Sequence, residues 1–544
     1  MNSNRERNGP RWSRGYTRIS AWILPLLLIG AFLHFAIIVA FYSQFTIDDA
    51  YITFRYAHNL AQGNGLVFNI GDPVEGFSNF SWLVLLSGFD RLGVSMMVAA
   101  KVLGILSALG TLIYLTLLTR RYVTDPAYSF LGYAGAFLLL LSYGFASYTV
   151  SGLETIFFLF LLTAGLYYYV RNMDRIDLTS SIFFAIMALT RPEGILFFGI
   201  LTLIKLAFLK SQFFRWRNIL NLAIGVIPFL AYLAFRFYYF HALTANSVVA
   251  KYCIGSLSFL FGIVKGLRYD GLFFATPLAL LLVIPCILAF SYICSNKELR
   301  ALLIFFLLAT TSYTIYGGDW MSFFRLFLHI ITPLVVVGIT AVAWLVGRGN
   351  WFLRASPKSS AQEAQRIAFS IVGLVLLIAS VVMSANELIV VQNIPSVVRA
   401  YGQFEAMGLF IHNHARPDDV LVYGGIGTIG YYSQVRIRDT LGLVDTHIAH
   451  LPGCIASTDF GIPGLYPQRK FDVDYYFKDN PRFILIDSVD DVRAMGNLTS
   501  FELNEQLMIK DVRFGNYTRI YSLHPGAYLH LYEYDPNHQL SPLN

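Results

Sequence analysis

Hydrophobic residues in this chain run in long uninterrupted stretches, and eleven of these approach the roughly 20 residues that a helix needs to cross a bilayer core. Their approximate limits are 20–43, 96–118, 127–149, 153–170, 178–190, 194–209, 218–240, 271–293, 299–316, 326–346 and 367–386. The fifth and sixth are short, and Arg191, Pro192 and Glu193 break the chain between them. From about residue 396 the pattern changes. Apolar runs shorten, charges, glycines and prolines become more frequent, and Val420–Tyr423 and residues 482–487 read as short buried strands bounded by turn residues. The pattern predicts a mainly α polytopic helical membrane protein with a C-terminal α/β or α+β domain. The expected divisions are a basic tail at 1–19, a transmembrane domain at 20–395 and a soluble domain at 396–544.

Composition supports the membrane reading: of 544 residues, 56% are hydrophobic and 13% charged, roughly half the charged share of ordinary globular proteins. The net charge of +7 does not point to nucleic acid, because the basic residues lie in short clusters between apolar runs. They act instead as orientation signals. Seventeen lysines and arginines fall in one set of loops, including Arg5, Arg7, Arg11, Arg14 and Arg18 before the first span, against seven in the longer alternate loops. The first set is expected in the cytoplasm. An odd number of spans then puts the C-terminal domain on the extracytoplasmic side. Four scattered cysteines suggest neither a disulfide framework nor a zinc site. The first apolar run is too long for a signal-peptide core and is read as a retained span.

The candidate chemistry gathers on that outer face. Asp48 and Asp49 directly follow the first span, and two adjacent carboxylates at a membrane surface need cations, a metal or a substrate hydroxyl nearby. The same face holds Arg55, Ser151-Gly152-Leu153-Glu154, Arg191-Pro192-Glu193-Gly194, Lys251, and Gly317-Gly318-Asp319-Trp320 with Arg325. Singly, each reads as a helix cap or a snorkelling side chain. Together they supply the two kinds of group needed for transfer from a phosphate-bearing lipid: a carboxylate to take a proton and cations to stabilise a departing phosphate.

In these residues the chain resembles the GT-C membrane glycosyltransferases that use polyprenyl-phosphate sugars, and more narrowly the mycobacterial terminal arabinofuranosyltransferase group and its bacterial relatives. The matching stretches are DDAYITFRYAHNLAQGNGLVFNIGDPVEGFSNFSW, SGLET, TRPEG, TANSVVAKY, YGGDWMSFFR, GTIGYYSQ and IRDTLGLVDTHIA, spread between residue 46 and about 450. The resemblance implies an inverting transfer with Asp48 or Asp49 as general base. It makes Arg191, Lys251 and Arg325 candidates for the donor phosphate, and Glu154, Glu193, Asp319, Trp320 and Arg55 candidates for substrate binding. The implied partners are a polyprenyl-phosphate sugar donor, an envelope glycan, lipid or protein acceptor, and membrane lipids. No cofactor is required, and a divalent metal stays open. Ala245 departs from relatives that carry a proline before the asparagine, so the turn at Asn246 is the point where the local geometry is expected to differ.

Other signals are weaker. Gly425 to Gly430 fits GxGxxG, but a tight strand-to-helix turn explains the glycines better than a dinucleotide site does outside the cytoplasm. Asp445, His447 and His450 form a D-x-H-x-x-H string that is more ordinary as capping and surface residues than as metal ligands. Two function classes follow: a glycosyltransferase of the inner (cytoplasmic) bacterial membrane, or a non-catalytic transporter or partner of an envelope or motility machine. A transporter would place its ionisable groups near the bilayer midplane. Their collection at one rim favours the enzyme.

Overall fold

A computed structural model of the chain describes residues 11–44, 46–251, 256–319, 321–354, 394–452, 455–456, 468–487, 505, 507–522 and 529–535. The first part is helical: α1 (Arg11–Tyr42), α2 (Asp48–Ala61), α3 (Phe80–Arg91), α4 (Met96–Arg120), α5 (Ala134–Leu140), α6 (Tyr143–Thr149), α7 (Thr155–Arg171), α8 (Leu178–Thr190) and α9 (Pro192–Leu209). It continues through α10 (Trp216–Phe240), α11 (Asn246–Lys251), α12 (Ser256–Phe274), α13 (Pro277–Leu288), α14 (Phe290–Ser295), α15 (Lys297–Tyr316), α16 (Arg325–His329) and α17 (Ile331–Arg354). Among the described residues six helices are long and apolar enough to cross a membrane, or up to eight if each of two bent pairs is one span. The shorter apolar helices α7 and α8 match the fourth and fifth expected spans. The eleventh expected span, 367–386, lies outside the described residues.

Two spans expected to be continuous are broken, each by a capping residue. The run 127–149 bends by 64° between Leu140 and Tyr143, where the Ser142 side chain accepts from the Phe145 N–H and starts a new helix. The run 271–293 also fails as one helix: α12 and α13 meet at 87°. There Thr276 Oγ1 accepts from the Ala279 N–H at 3.3 Å, and Pro277 occupies the first helical position, where its missing N–H leaves nothing unpaired. Hydropathy registers the apolar run but not the turn inside it.

Around α7 the packing is close, with α4, α8 and α16 against it, and its core is rich in phenylalanine. At the other end of the bundle from Asp48, the charges do structural work. Lys205 donates to the carbonyls of Tyr169 (3.0 Å), Arg175 (2.9 Å) and Asn172, covering the C-terminus of α7. Arg121 and Glu298 pair through two bonds of 3.0 and 2.9 Å.

The C-terminal part begins with the helix Ile394–His414 and carries β1 (Val420–Tyr423), β2 (Arg436–Asp439), β3 (Ile455–Ala456), β4 (Gln468–Arg469), β5 (Phe483–Asp487), β6 (Tyr517–Ser522) and β7 (Leu529–Tyr534). Five strands form one sheet in the order β2-β1-β5-β7-β6. β1 is parallel to β2 and β5, while β7 is antiparallel to β5 and β6. The α/β expectation therefore holds for the parallel half, and an antiparallel pair extends it. Phe483, Ile484, Leu485 and Ile486 are all fully buried, as central strands covered on both faces are.

This domain docks directly on α2 and the loop that follows it. Asn69 exchanges two hydrogen bonds with the Ile437 backbone, of 2.9 and 3.0 Å. Asn246 donates to the carbonyls of Gly442 (2.8 Å) and Leu443 (3.1 Å), and its own N–H donates to the Glu75 carbonyl at 2.9 Å. The turn at Asn246 is thus held from two sides, with Ala245 buried beside it.

Candidate active site

The site is assembled from the ends of elements that meet at one rim of the bundle. The chain leaves α1 and reaches α2 through an extended Ile47, whose N–H donates to the Ser151 carbonyl at 3.0 Å. This bond ties the start of α2, and so Asp48 and Asp49, to the SGLET turn before α7. Trp82 Nε1 donates to the Gly152 carbonyl in the same turn at 3.1 Å. Both aspartates sit in the first turn of α2, where the helix dipole favours negative charge.

The turn also presents Glu154, which is 3% exposed. It accepts from Asn79 Nδ2 at 2.8 Å and from Arg191 Nη1. Arg191 has extended backbone between α8 and α9, and its Nε donates to Glu193 Oε1 at 2.6 Å. His329 Nδ1 lies 3.6 Å from the same oxygen. Burial pushes the Glu154 carboxyl up, but Arg191 and Asn79 outweigh it and leave the group below the usual glutamate range. Arg191 is thereby balanced by two carboxylates.

The GGDWMSFFR segment supplies the second cation. Gly317 and Gly318, at φ of 93° and 72°, reverse the chain after α15. A Cβ on Gly318 would sit 2.6 Å from that of Tyr269. Asp319 then accepts from Arg325 Nε at 2.7 Å, and Tyr148 donates to the Ser322 carbonyl at 2.8 Å. Phe323 and Phe324 both adopt the left-handed conformation, at φ of 61° and 50°, which costs about 1–2 kcal/mol per residue for L-amino acids. Phe324 packs against Tyr269 and Phe273, contacts that help hold the turn in place. Such strain next to a charged cluster is a recurrent mark of functional sites.

Lys251, the last residue of α11, is exposed, yet enough protein surrounds it that desolvation lowers its ammonium below the usual lysine range. Arg325 and Arg191 reinforce the effect, while Asp49 and Asp319 oppose it. These mutual fields bring Asp49, Arg191, Lys251, Asp319 and Arg325 into one electrostatic cluster. Lys251 forms no hydrogen bond or ion pair among the described residues, and neither does the half-buried Asp49.

Asp48 differs from its neighbour. Its Oδ1 accepts from both the backbone N–H and the hydroxyl of Thr428, each at 2.7 Å. Thr428 comes from the C-terminal domain, within the glycine turn read from sequence as a plain strand-to-helix connection. Burial pushes the Asp48 carboxyl up to about 6, which Thr428 partly opposes and Asp49 reinforces.

Arg55, expected to bind substrate, is 2% exposed and lies over the Phe68 ring. It donates to the carbonyls of Phe68 (2.9 Å), Gly430 (2.7 Å) and Val435 (2.7 Å), so it clamps the C-terminal domain onto α2. Trp320 lies outside the described residues. Asp445 caps the helix Thr446–His450, and His447 pairs with Asp472 at 2.9 Å, which uses the D-x-H-x-x-H string locally. Asn79, Tyr148 and Thr428 carried no isolated sequence signal, although Thr428 lies within the GTIGYYSQ stretch.

Comparison with known proteins shows a fold of the GT-C membrane type. The crystal structure of ArnT from Cupriavidus metallidurans bound to undecaprenyl phosphate superimposes with a TM-score of 0.52 at 12% identity, covering 94% of this chain and 98% of that one. Its apo form gives 0.50 at 11% identity, covering 95% and 98%. In sequence, the chain is 29% identical over 231 residues to the terminal β-(1→2)-arabinofuranosyltransferase of Mycobacterium tuberculosis, covering 38% of this chain and 35% of that protein. The match thus spans about a third of the length of this curated relative. Residues 393–534 match a family described as Domain of unknown function (DUF8728).

Proposed function

We propose that this protein is an inverting glycosyltransferase that moves a sugar, an arabinofuranose-like pentose or a hexose, from a polyprenyl-phosphate donor to an envelope glycan, lipid or protein acceptor. The observation that carries the reading is a pair of opposite charges, Asp49 and Lys251, that act on each other electrostatically and form no hydrogen bond or ion pair among the described residues, in a cluster where Arg191 and Arg325 are paired with carboxylates. Asp49 is the base: it takes the acceptor hydroxyl proton as that oxygen attacks the anomeric carbon, and the bond from that carbon to the phosphate oxygen breaks. Lys251 and then Arg325 stabilise the charge developing on the departing polyprenyl phosphate. Arg191, held between Glu154 and Glu193, acts as a positioning residue rather than the main phosphate ligand. Glu154, Glu193 and Asp319 orient the cations.

The lysine and arginine asymmetry of the loops favours placing this rim and the C-terminal domain on the extracytoplasmic side of a bacterial cytoplasmic membrane. The donor tail would reach the rim sideways from the bilayer. The fold similarity to a structure bound to undecaprenyl phosphate supports the donor class, and the partial identity to an arabinofuranosyltransferase supports the reaction.

The test is transfer by the purified full chain from labelled polyprenyl-phosphate pentoses and hexoses to candidate acceptors. Asp49→Asn is expected to lose at least a hundredfold in kcat. Transfer by Asp49→Asn at the wild-type rate would remove this carboxylate from the mechanism.

A further inference from the structure

We propose that the C-terminal domain is a working part of the catalytic site, because Thr428 fixes Asp48 and so assigns different tasks to two adjacent carboxylates. The two bonds of 2.7 Å to a single oxygen, Oδ1, come from one residue, and that residue begins the helix Thr428–Ser433. Gly427 makes the approach feasible: a Cβ there would lie 2.1 Å from the Asp48 carbonyl oxygen and 2.4 Å from Oδ2. A side chain at 427 would therefore drive the two elements apart.

The contact is built rather than incidental. Arg55, two turns further along α2, donates to the carbonyls of Gly430 and Val435, gripping the same helix that presents Thr428. Tyr51, one turn on, packs its ring at a tilt against those of Tyr431 and Tyr432. The domain thus reads α2 along one face, at Asp48, Tyr51 and Arg55. Asp49, the next residue, is turned about 100° around the helix and remains uncommitted. Asp48 becomes the fixed carboxylate, and Asp49 is left free for the acceptor.

Several groups face Asp48. Asp49 and Tyr51 lie on its own helix, Thr428 and Gly427 come from the C-terminal domain, and the Ser151 to Glu154 turn lies alongside. Glu405, in the helix Ile394–His414, acts on Tyr51. Of these, Thr428 supplies the side-chain hydrogen bond that favours the ionised form. Thr428 is thus a positioning residue. The Thr428 side chain is expected to matter through its hydroxyl, since its methyl group cannot replace the donated bond.

The inference rests on reading Asp48 and Asp49 as the catalytic pair, but its test does not need transfer. Infrared difference titration of the full chain in nanodiscs, with Asp48→Asn identifying the Asp48 carboxyl band, measures where that group loses its proton. Thr428→Val removes one of the two donors and is expected to move the midpoint up by roughly one pH unit. Thr428→Ser, which keeps the hydroxyl, is expected to hold the wild-type midpoint. If the midpoint is the same in Thr428→Val and wild type, the proposal is overturned. Where transfer is measurable, Thr428→Val should also lower kcat about tenfold with donor KM unchanged, and Thr428→Ser should restore most of it. A normal infrared shift without any transfer by the wild type would instead count against the glycosyltransferase reading alone.

Discussion

Arg325 Nε donates to Asp319 at 2.7 Å, and this one-to-one pairing sets it apart from Arg191, which lies between two carboxylates. The two arginines should respond differently to truncation. Arg325→Ala is expected to raise the donor KM about tenfold or more, because a cation at the site is lost, and to cost less stability than Arg191→Ala, since it strips its cation from one buried carboxylate rather than two. Arg191→Ala leaves Glu154 buried without its cation and should act mainly on stability, by about 3–5 kcal/mol. Thermal unfolding in detergent alongside donor kinetics separates the two. A stable Arg191→Ala with a large rise in KM would reverse the assignment.

Asp48 gives a pH signature. Its carboxyl is pushed from 3.8 up to about 6, mainly by burial, so between those values the folded chain holds a proton that the unfolded chain releases. The Asp48 contribution to stability therefore falls as pH rises through that window and is lowest above about 6. Asp48→Asn carries no charge at any pH and its amide oxygen can still accept from Thr428. Its melting temperature should exceed that of wild type by roughly 2 °C above the window and converge with it at the acid end. A melting difference that does not vary with pH would show that the Asp48 charge is not what the fold opposes.

The Arg55 clamp is testable without activity. Arg55→Ala removes three charge-assisted bonds, to the carbonyls of Phe68, Gly430 and Val435, from a buried interface; Phe68 keeps Asn59 Nδ2 and Gly430 keeps the Gln434 N–H, but Val435 keeps no donor among the described residues. A loss of about 3 kcal/mol or more follows, concentrated at the contact between domains. Hydrogen exchange of residues 428–437 should accelerate in this variant, whereas that of α4 and α7 should not. Unchanged exchange at the contact would argue against the clamp.

Asn246 should tune Lys251. It anchors the start of α11 to the carbonyls of Gly442 and Leu443, and Lys251 is the last residue of that helix. Asn246→Ala is expected to raise the donor KM by roughly threefold to tenfold, the range of one or two net hydrogen bonds, with a smaller effect on kcat. An effect on kcat alone would place Asn246 elsewhere in the cycle.

Much of this protein is determined by its sequence alone. Long apolar runs leave no choice but helices in a bilayer, since no solvent there can satisfy an open backbone. Even the buried strands Val420–Tyr423 and Phe483–Asp487 are visible as short apolar runs, for the related reason that parallel strands covered on both faces tolerate few polar residues. Clustering of Asp48, Asp49, Glu154, Arg191, Lys251, Asp319 and Arg325 at the ends of runs is likewise legible. Tertiary structure alone decided how those charges are used. The same guanidinium chemistry makes Arg55 a clamp, Arg191 a doubly balanced support and Arg325 a singly paired cation, because the outcome depends on which carboxylates and carbonyls arrive from distant segments. The breaks near Ser142 and Thr276 also escaped hydropathy, which counts apolar atoms and not the capping bond that ends a helix. Asp48 and Asp49 are equivalent as letters. They become different groups only when Thr428, nearly 400 residues later, reaches one of them and not the other.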